Sequence, residues 1–195
     1  MIIVKGTTFA DSWGVYHFPG MGNTHGLLLN SDVAEIDSVT YWNDTTASAS
    51  VFSLGNDTMI NKTGQTMLAY CFHSVEGYSK VGSYTGNGAS QDGTFVYCGF
   101  KPAFLLVKNV SSSAWWGIWD DARDPYNTIT YEGYPNSNVA EGNNTGSTNG
   151  PGTFDFTANG FKGRRKAAES MTNTSGDTYM YLAIAESPFK TSNAR

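Results

Sequence analysis

The chain has 195 residues, 39% hydrophobic and 14% aromatic, which is enough to bury a core and too apolar for a disordered segment. Charged residues are only 15%, and the net charge of −5 argues against nucleic acid, which selects basic surfaces. No apolar run reaches the roughly 18 residues of a spanning helix, so no membrane insertion is expected.

In chain order, short apolar runs alternate with turn chemistry. Ile2–Lys5, Gly26–Asn30, Thr66–Phe72, Thr94–Phe100, Ala103–Asn109, Trp115–Trp119 and Thr178–Ala185 are rich in β-branched and aromatic residues and predict strands. Between them lie "GMGNTHG", "GNDT", "GNGASQDG", "EGNNTGSTNGPG" and "ANG", which supply the residues that reverse a chain tightly. Arg164–Met171 is the best helical pattern and is short. The expected class is all-β, as a β-sandwich.

The sequence also repeats itself. Ile2-Ile3-Val4-Lys5 returns as Leu105-Leu106-Val107-Lys108, and Trp13-Gly14-Val15-Tyr16 as Trp116-Gly117-Ile118-Trp119. "NSDVAE" at Asn30–Glu35 returns as "NSNVAE" at Asn136–Glu141, and Asn61–Phe72 as Asn173–Ile184. Four blocks in one order, with the spacing only widening, predict an internally duplicated sandwich whose loops lengthened while its strands stayed. Residues 1–80 are the first repeat and 81–195 the second. Two small sandwiches and one pseudo-symmetric body both remain open. Asp92–Ala103, a strand and turn before the second copy, has no counterpart before the first. Three readings follow: the chain is cut from a longer one, a neighbouring subunit supplies the strand, or the first copy does without it. The two cysteines, Cys71 and Cys98, lie among strand formers and are expected as buried thiols, with a single bridge the alternative.

Several stretches together resemble a domain at the C-terminal ends of bacteriophage tail fibre and related tail proteins. They are Val75–Asn109, with "SYTGNG" and "GFKPAFLLVKN", then "WGIWDDARDPYN", "NGFKGR", and the ending "SGDTYMYLAIAESPFKTSNAR". The resemblance implies a virion component that recognises the host surface, often as a homotrimer assembled with other tail proteins. It implies location in the virion tail, after assembly in the host cytoplasm. It brings no known catalytic residues.

Candidate sites follow from residue chemistry. Asp120, Asp121 and Asp124 in "WDDARD" are the densest acidic cluster. Carboxylate pairs of this kind hydrolyse polysaccharides, but a turn held by Arg123 is the expected role. No enzyme activity, metal or cofactor is expected. Sugar binding asks less: an exposed aromatic face beside neutral hydrogen-bonding groups. Positions alike in both copies should serve the fold, and positions aromatic in one copy only are free for recognition. Trp115 is such a position and adjoins Trp116, so on a strand the two rings must point to opposite faces. With Trp116 in the core, Trp115 is expected outside. Trp42, Tyr126, Tyr131 and Tyr134 lie in polar, loop-like context. The expected function is a non-enzymatic adhesin that recognises host cell-surface polysaccharide, with Trp115, Asp120, Asp121, Asp124, Tyr126, Tyr131 and Trp42 as candidate contacts. A capsid decoration or head fibre and a polysaccharide-degrading tail protein are the alternatives. The basic run Lys162–Lys166 is expected as a solvated strand or loop.

Overall fold

The computed structural model describes residues 1–18, 20–143, 153–164 and 170–188. Its strands are β1 (Ile2–Gly6), β2 (Gly14–Tyr16), β3 (His25–Leu28), β4 (Ile36–Asp37), β5 (Met67–Cys71), β6 (Ser79–Thr85) and β7 (Phe95–Tyr97). There follow β8 (Pro102–Asn109), β9 (Gly117–Asp120), β10 (Tyr131–Glu132), β11 (Gly142–Asn143), β12 (Phe154–Thr157), β13 (Gly160–Gly163) and β14 (Thr178–Ala185). Two single-turn helices, α1 (Val39–Trp42) and α2 (Thr58–Asn61), lie between β4 and β5. The sequence pattern did not announce them. Each starts at a side-chain cap: Ser38 accepts the Thr40 N–H, and Asp57 the Met59 N–H. Arg164–Met171 lies largely outside the described residues, as does most of the "EGNNTGSTNGPG" tip.

The sheets are antiparallel and stack in layers. One has the order β4-β3-β2-β1-β5, a second β6-β14-β8-β9, and a third β12-β13-β7. β10 and β11 form a two-stranded ribbon that reaches β9 through the Ile118↔Gly133 bridge. Met1, Ile3, Val15 and Leu27 on the first sheet share one core with Val81, Leu106, Trp116 and Met180 on the second. The opposite face of the second sheet, with Leu105, Val107, Trp119 and Tyr181, packs on Phe154, Phe156 and Phe161 of the third. The opposite face of the first sheet, with Ile2, Val4 and Tyr16, packs on Trp42, Met59 and Ile60 from the helical layer. The central sheet is therefore buried on both faces, and β14 is buried at nearly every position. The all-β class expected from sequence is the observed one, as antiparallel sheets packed face to face.

The repeated blocks adopt matching pairings. Ile2↔Tyr16, Ile3↔Val15 and Val4↔Gly14 join β1 to β2; Leu105↔Trp119, Leu106↔Ile118 and Val107↔Gly117 join β8 to β9. Ile2↔Cys71 through Gly6↔Met67 join β1 to β5, and Leu105↔Ala183 through Asn109↔Tyr179 join β8 to β14. The match continues outward. Val15↔Leu27 has its equivalent in Ile118↔Gly133, and His25↔Asp37 with Gly26↔Ile36 in Tyr131↔Asn143 with Glu132↔Gly142. Even one lysine bond recurs: Lys5 Nζ donates to the Asp11 carbonyl, and Lys108 Nζ to the Ala114 carbonyl. The glycine shared by both copies has a steric reason. A Cβ at Gly117 would lie 2.1 Å from the Trp119 ring, and one at Gly14 would lie 2.5 Å from Ile60.

Candidate functional site

The acidic cluster is a set of turn staples. Asp120 accepts the Arg123 backbone N–H at 2.9 Å and its Nε at 2.7 Å, and Arg123 also reaches Glu141 at 3.6 Å. Asp124 Oδ2 accepts the backbone N–H and the hydroxyl of Thr130, and the Tyr131 N–H at 3.3 Å. The Asn127 amide pairs with the Phe156 backbone in both directions at 2.8 Å, so it acts as one more rung beside β12. Burial, and then the nearby Glu186 charge, push the Asp121 carboxyl above its ordinary range. These contacts hold the 120–131 loop and leave Tyr126 at its tip, 81% exposed. Tyr131 is half-buried on β10. Among the described residues, no three His, Cys, Asp or Glu side chains converge where a metal ion could sit.

Two tryptophans differ from expectation. Trp42 is buried, with its ring edge-on to Tyr16 at 5.4 Å between centroids, because the turn of α1 folds it under the first sheet. It offers no face to a sugar. Trp115 and Trp116 do point to opposite faces, but both faces are covered. Trp116 fills the core between the first two sheets and donates from Nε1 to the Leu28 carbonyl at 2.9 Å. Trp115 is half-buried against the core beneath the third sheet, edge-on to Tyr134 at 5.0 Å. Trp115 lies before β9 and Asp120 is its last residue, with the strand's length of about 13 Å at strand rise between them, so they do not form one site. The thiols part company too: both are free, Cys98 is buried, and Cys71 is exposed on β5.

Two aromatic residues that the sequence reading placed only in a strand lie on the surface. On β7, Val96 enters the core while Phe95 and Tyr97 face outward, 46% and 65% exposed. Phe95 pairs with Lys162 on β13, which pairs with Asp155 on β12, so all share the outer face of the third sheet. Lys162 meets Asp92, and Arg164 Nε meets Asp155 Oδ2 at 2.6 Å. The lysine beside Asp92 holds that carboxyl below its ordinary value. These two pairings account for the described part of the basic run. Tyr97 also borders a cavity of about 330 Å³ lined by Ser74, Glu76, Ser79 and Lys80. The alternation Phe-Val-Tyr was the available signal, but Cys98 and Phe100 beyond it are apolar as well and hid which face was wet.

A larger, apolar cavity of about 620 Å³ opens beside β1 and β5, lined by Ile2, Tyr16, Phe18, Phe52, Cys71 and Phe72 among others.

The motifs that carried the resemblance build the fold. Asn87 and Asn173 bond reciprocally, with the Asn87 N–H on Asn173 Oδ1 at 3.0 Å and Asn173 Nδ2 on Asn87 Oδ1 at 2.8 Å. Gly86 N–H donates to the Asp177 carbonyl and Gly176 N–H returns to the Gly86 carbonyl, each at 2.9 Å. A Cβ at Gly86 would fall 2.2 Å from the Thr174 carbonyl oxygen. "TGNG" is thus a clasp on the turn before β14.

The fold and these surfaces define an all-β protein with exposed aromatic rings on a weakly charged exterior. The chain belongs to the family described as Domain of unknown function (DUF7483), whose model matches residues 1–188. No curated protein and no solved structure matches it.

Proposed function

We propose that the chain is a non-enzymatic adhesion protein of a bacteriophage tail fibre that binds host surface glycans through exposed aromatic rings. The observation that carries this reading is the outer face of the third sheet, where Phe95 and Tyr97 stand beside two ion pairs and a cavity edged by Ser74, Glu76, Ser79 and Lys80. An aromatic ring stacks on the apolar face of a pyranose, and the neighbouring hydroxyl, carboxylate and ammonium groups bond its hydroxyls. Tyr126, held out by the stapled 120–131 loop, is a second contact of the same kind. The resemblance to tail fibre domains supports the virion assignment, and a homotrimer would multiply weak sites into a firm hold.

The test uses purified host-type capsular or lipopolysaccharide immobilised on a sensor surface. Phe95→Ala with Tyr97→Ala should lower retention about tenfold while the melting temperature stays within the small range of surface substitutions. Undiminished retention in that variant removes the third sheet from the binding role. Native mass measurement reads the assembly: three times the chain mass is expected, and a monomer would count against the fibre reading.

A further inference from the structure

The two copies differ at one edge. In the second, β6 runs antiparallel along β14, from Thr178↔Thr85 to Ile184↔Ser79. The stretch that begins with β6 then places Tyr84, Val96, Cys98 and Phe100 in the core with Trp119 and Ala183. β5 occupies in the first copy the place of β14 in the second, yet no described strand pairs with its other side.

Among the described residues that side is open and unguarded. Phe72 N–H donates to the Met1 carbonyl at 2.8 Å, and Thr7 N–H to the Thr66 carbonyl at 3.0 Å. Pairing alternates along an antiparallel strand, so Leu68 and Tyr70 also face β1, and the backbone groups of Met67, Ala69 and Cys71 point outward. No proline, lysine or bulge interrupts Met67–Cys71, and Leu68 and Tyr70 are 43% and 44% exposed. The 620 Å³ cavity lies over Ile2, Tyr16 and Cys71. Their equivalents, Leu105, Trp119 and Ala183, are covered in the second copy by the β6–β7 stretch and the third sheet.

We propose that β5 and this cavity together bind an extended, apolar polypeptide strand of a partner chain. It pairs antiparallel to Thr66–Phe72, as β6 pairs with β14, and sinks a side chain into the cavity. The register defines what fits. A residue opposite Ala69 takes the place of Gly82, and one opposite Cys71 the place of Lys80. Gly82 is a glycine because a Cβ there would meet the Tyr181 hydroxyl at 2.7 Å. Ala69 stands where Tyr181 does and leaves that room vacant, so the bound strand carries a large apolar residue at this point. Main-chain bonds give the affinity and the cavity gives the selectivity.

A synthetic peptide with the sequence of Ser79–Phe100, carrying Gly82→Leu, serves as the probe. Saturating peptide should slow iodoacetamide alkylation of Cys71 by about tenfold or more. It should also protect the Met67, Ala69 and Cys71 amides from hydrogen exchange while leaving Leu68 and Tyr70 as they were. Ala69→Pro removes an outward N–H without touching a β1 bond and should abolish both effects. If that variant fails to fold, the exchange pattern of the unaltered chain decides. Unchanged alkylation and exchange would overturn the proposal. So would a dimer of the chain that Ala69→Pro dissolves, since β5 would then pair with a second β5.

Discussion

Asn30 and Asn136 hold equivalent tryptophans in the same way. Asn30 Oδ1 accepts the Trp13 N–H at 2.9 Å, and Asn136 Oδ1 accepts the Trp116 N–H at 3.0 Å. The bond closes the same corner before β2 and before β9, but Asn30 is exposed and Asn136 half-buried. Asn136→Ala should therefore cost about 1–2 kcal/mol, because a shielded N–H loses its partner, and Asn30→Ala less, because water replaces it. Urea titration of both variants checks this, and a larger loss at Asn30 would contradict it.

The neighbouring tryptophans give a graded pair. Trp116→Ala empties the core between the first two sheets and strands the Leu28 carbonyl, so a loss of about 3–5 kcal/mol is expected. Trp115→Ala removes a half-buried ring and its edge contact with Tyr134, for a loss of about 1–2 kcal/mol. A Trp115 variant with no change in melting temperature would mean that the ring does not pack as seen.

Lys108 makes stability depend on pH in a definite direction. It is fully buried, and burial lowers its ammonium from 10.5 to about 8, a shift partly opposed by the Asp32 charge. Between those values the unfolded chain holds a proton that the folded chain has released, so stability rises with pH across the window. The gain is about 3 kcal/mol from pH 8 to 10.5. Burial raises Cys98 to about 12, so that thiol acts in the opposite sense once the unfolded thiol ionises near 9. Lys108→Met retains Cys98 and isolates the lysine. The difference in stability between the two proteins should climb through the window, and parallel curves would refute the assignment.

The thiols should react in two separate phases. Cys71 is exposed on the open strand, while Cys98 is buried and resists ionisation. One equivalent of thiol is expected to react with a disulfide reagent in the native protein, and the second only on unfolding. Two equivalents reacting at once would contradict the burial of Cys98.

Seven strands were legible as apolar runs, and the repeated blocks marked which of them are alike, while β6, β12 and β13 carried too little apolar sequence to stand out. Trp13 with Trp116, and Tyr16 with Trp119, named equivalent strands, and the structure pairs them alike. Outward faces were not legible. Leu105 and Leu106 serve two different cores, as do Tyr181 and Leu182, so the central sheet is apolar on both sides. Alternation assigns an outside only where one face is wet, and Trp115 sits where neither face is fully so. Trp42 was misplaced for another reason: a helix of one turn is too short to show a period, and its caps at Ser38 and Asn43 look like ordinary polar turns.

The place of β14 sets the order in which the molecule can be completed. It is the last of the described strands, yet it lies between β6 and β8, both made long before it. While the polypeptide emerges from the ribosome, those two earlier strands wait with a gap between them, and neither has its partner. Closing that gap is a long-range step, so assembly should be slow and sensitive to crowding by other nascent chains. Substitutions in β14 should then lower the yield of correctly assembled protein more than equal losses of stability elsewhere.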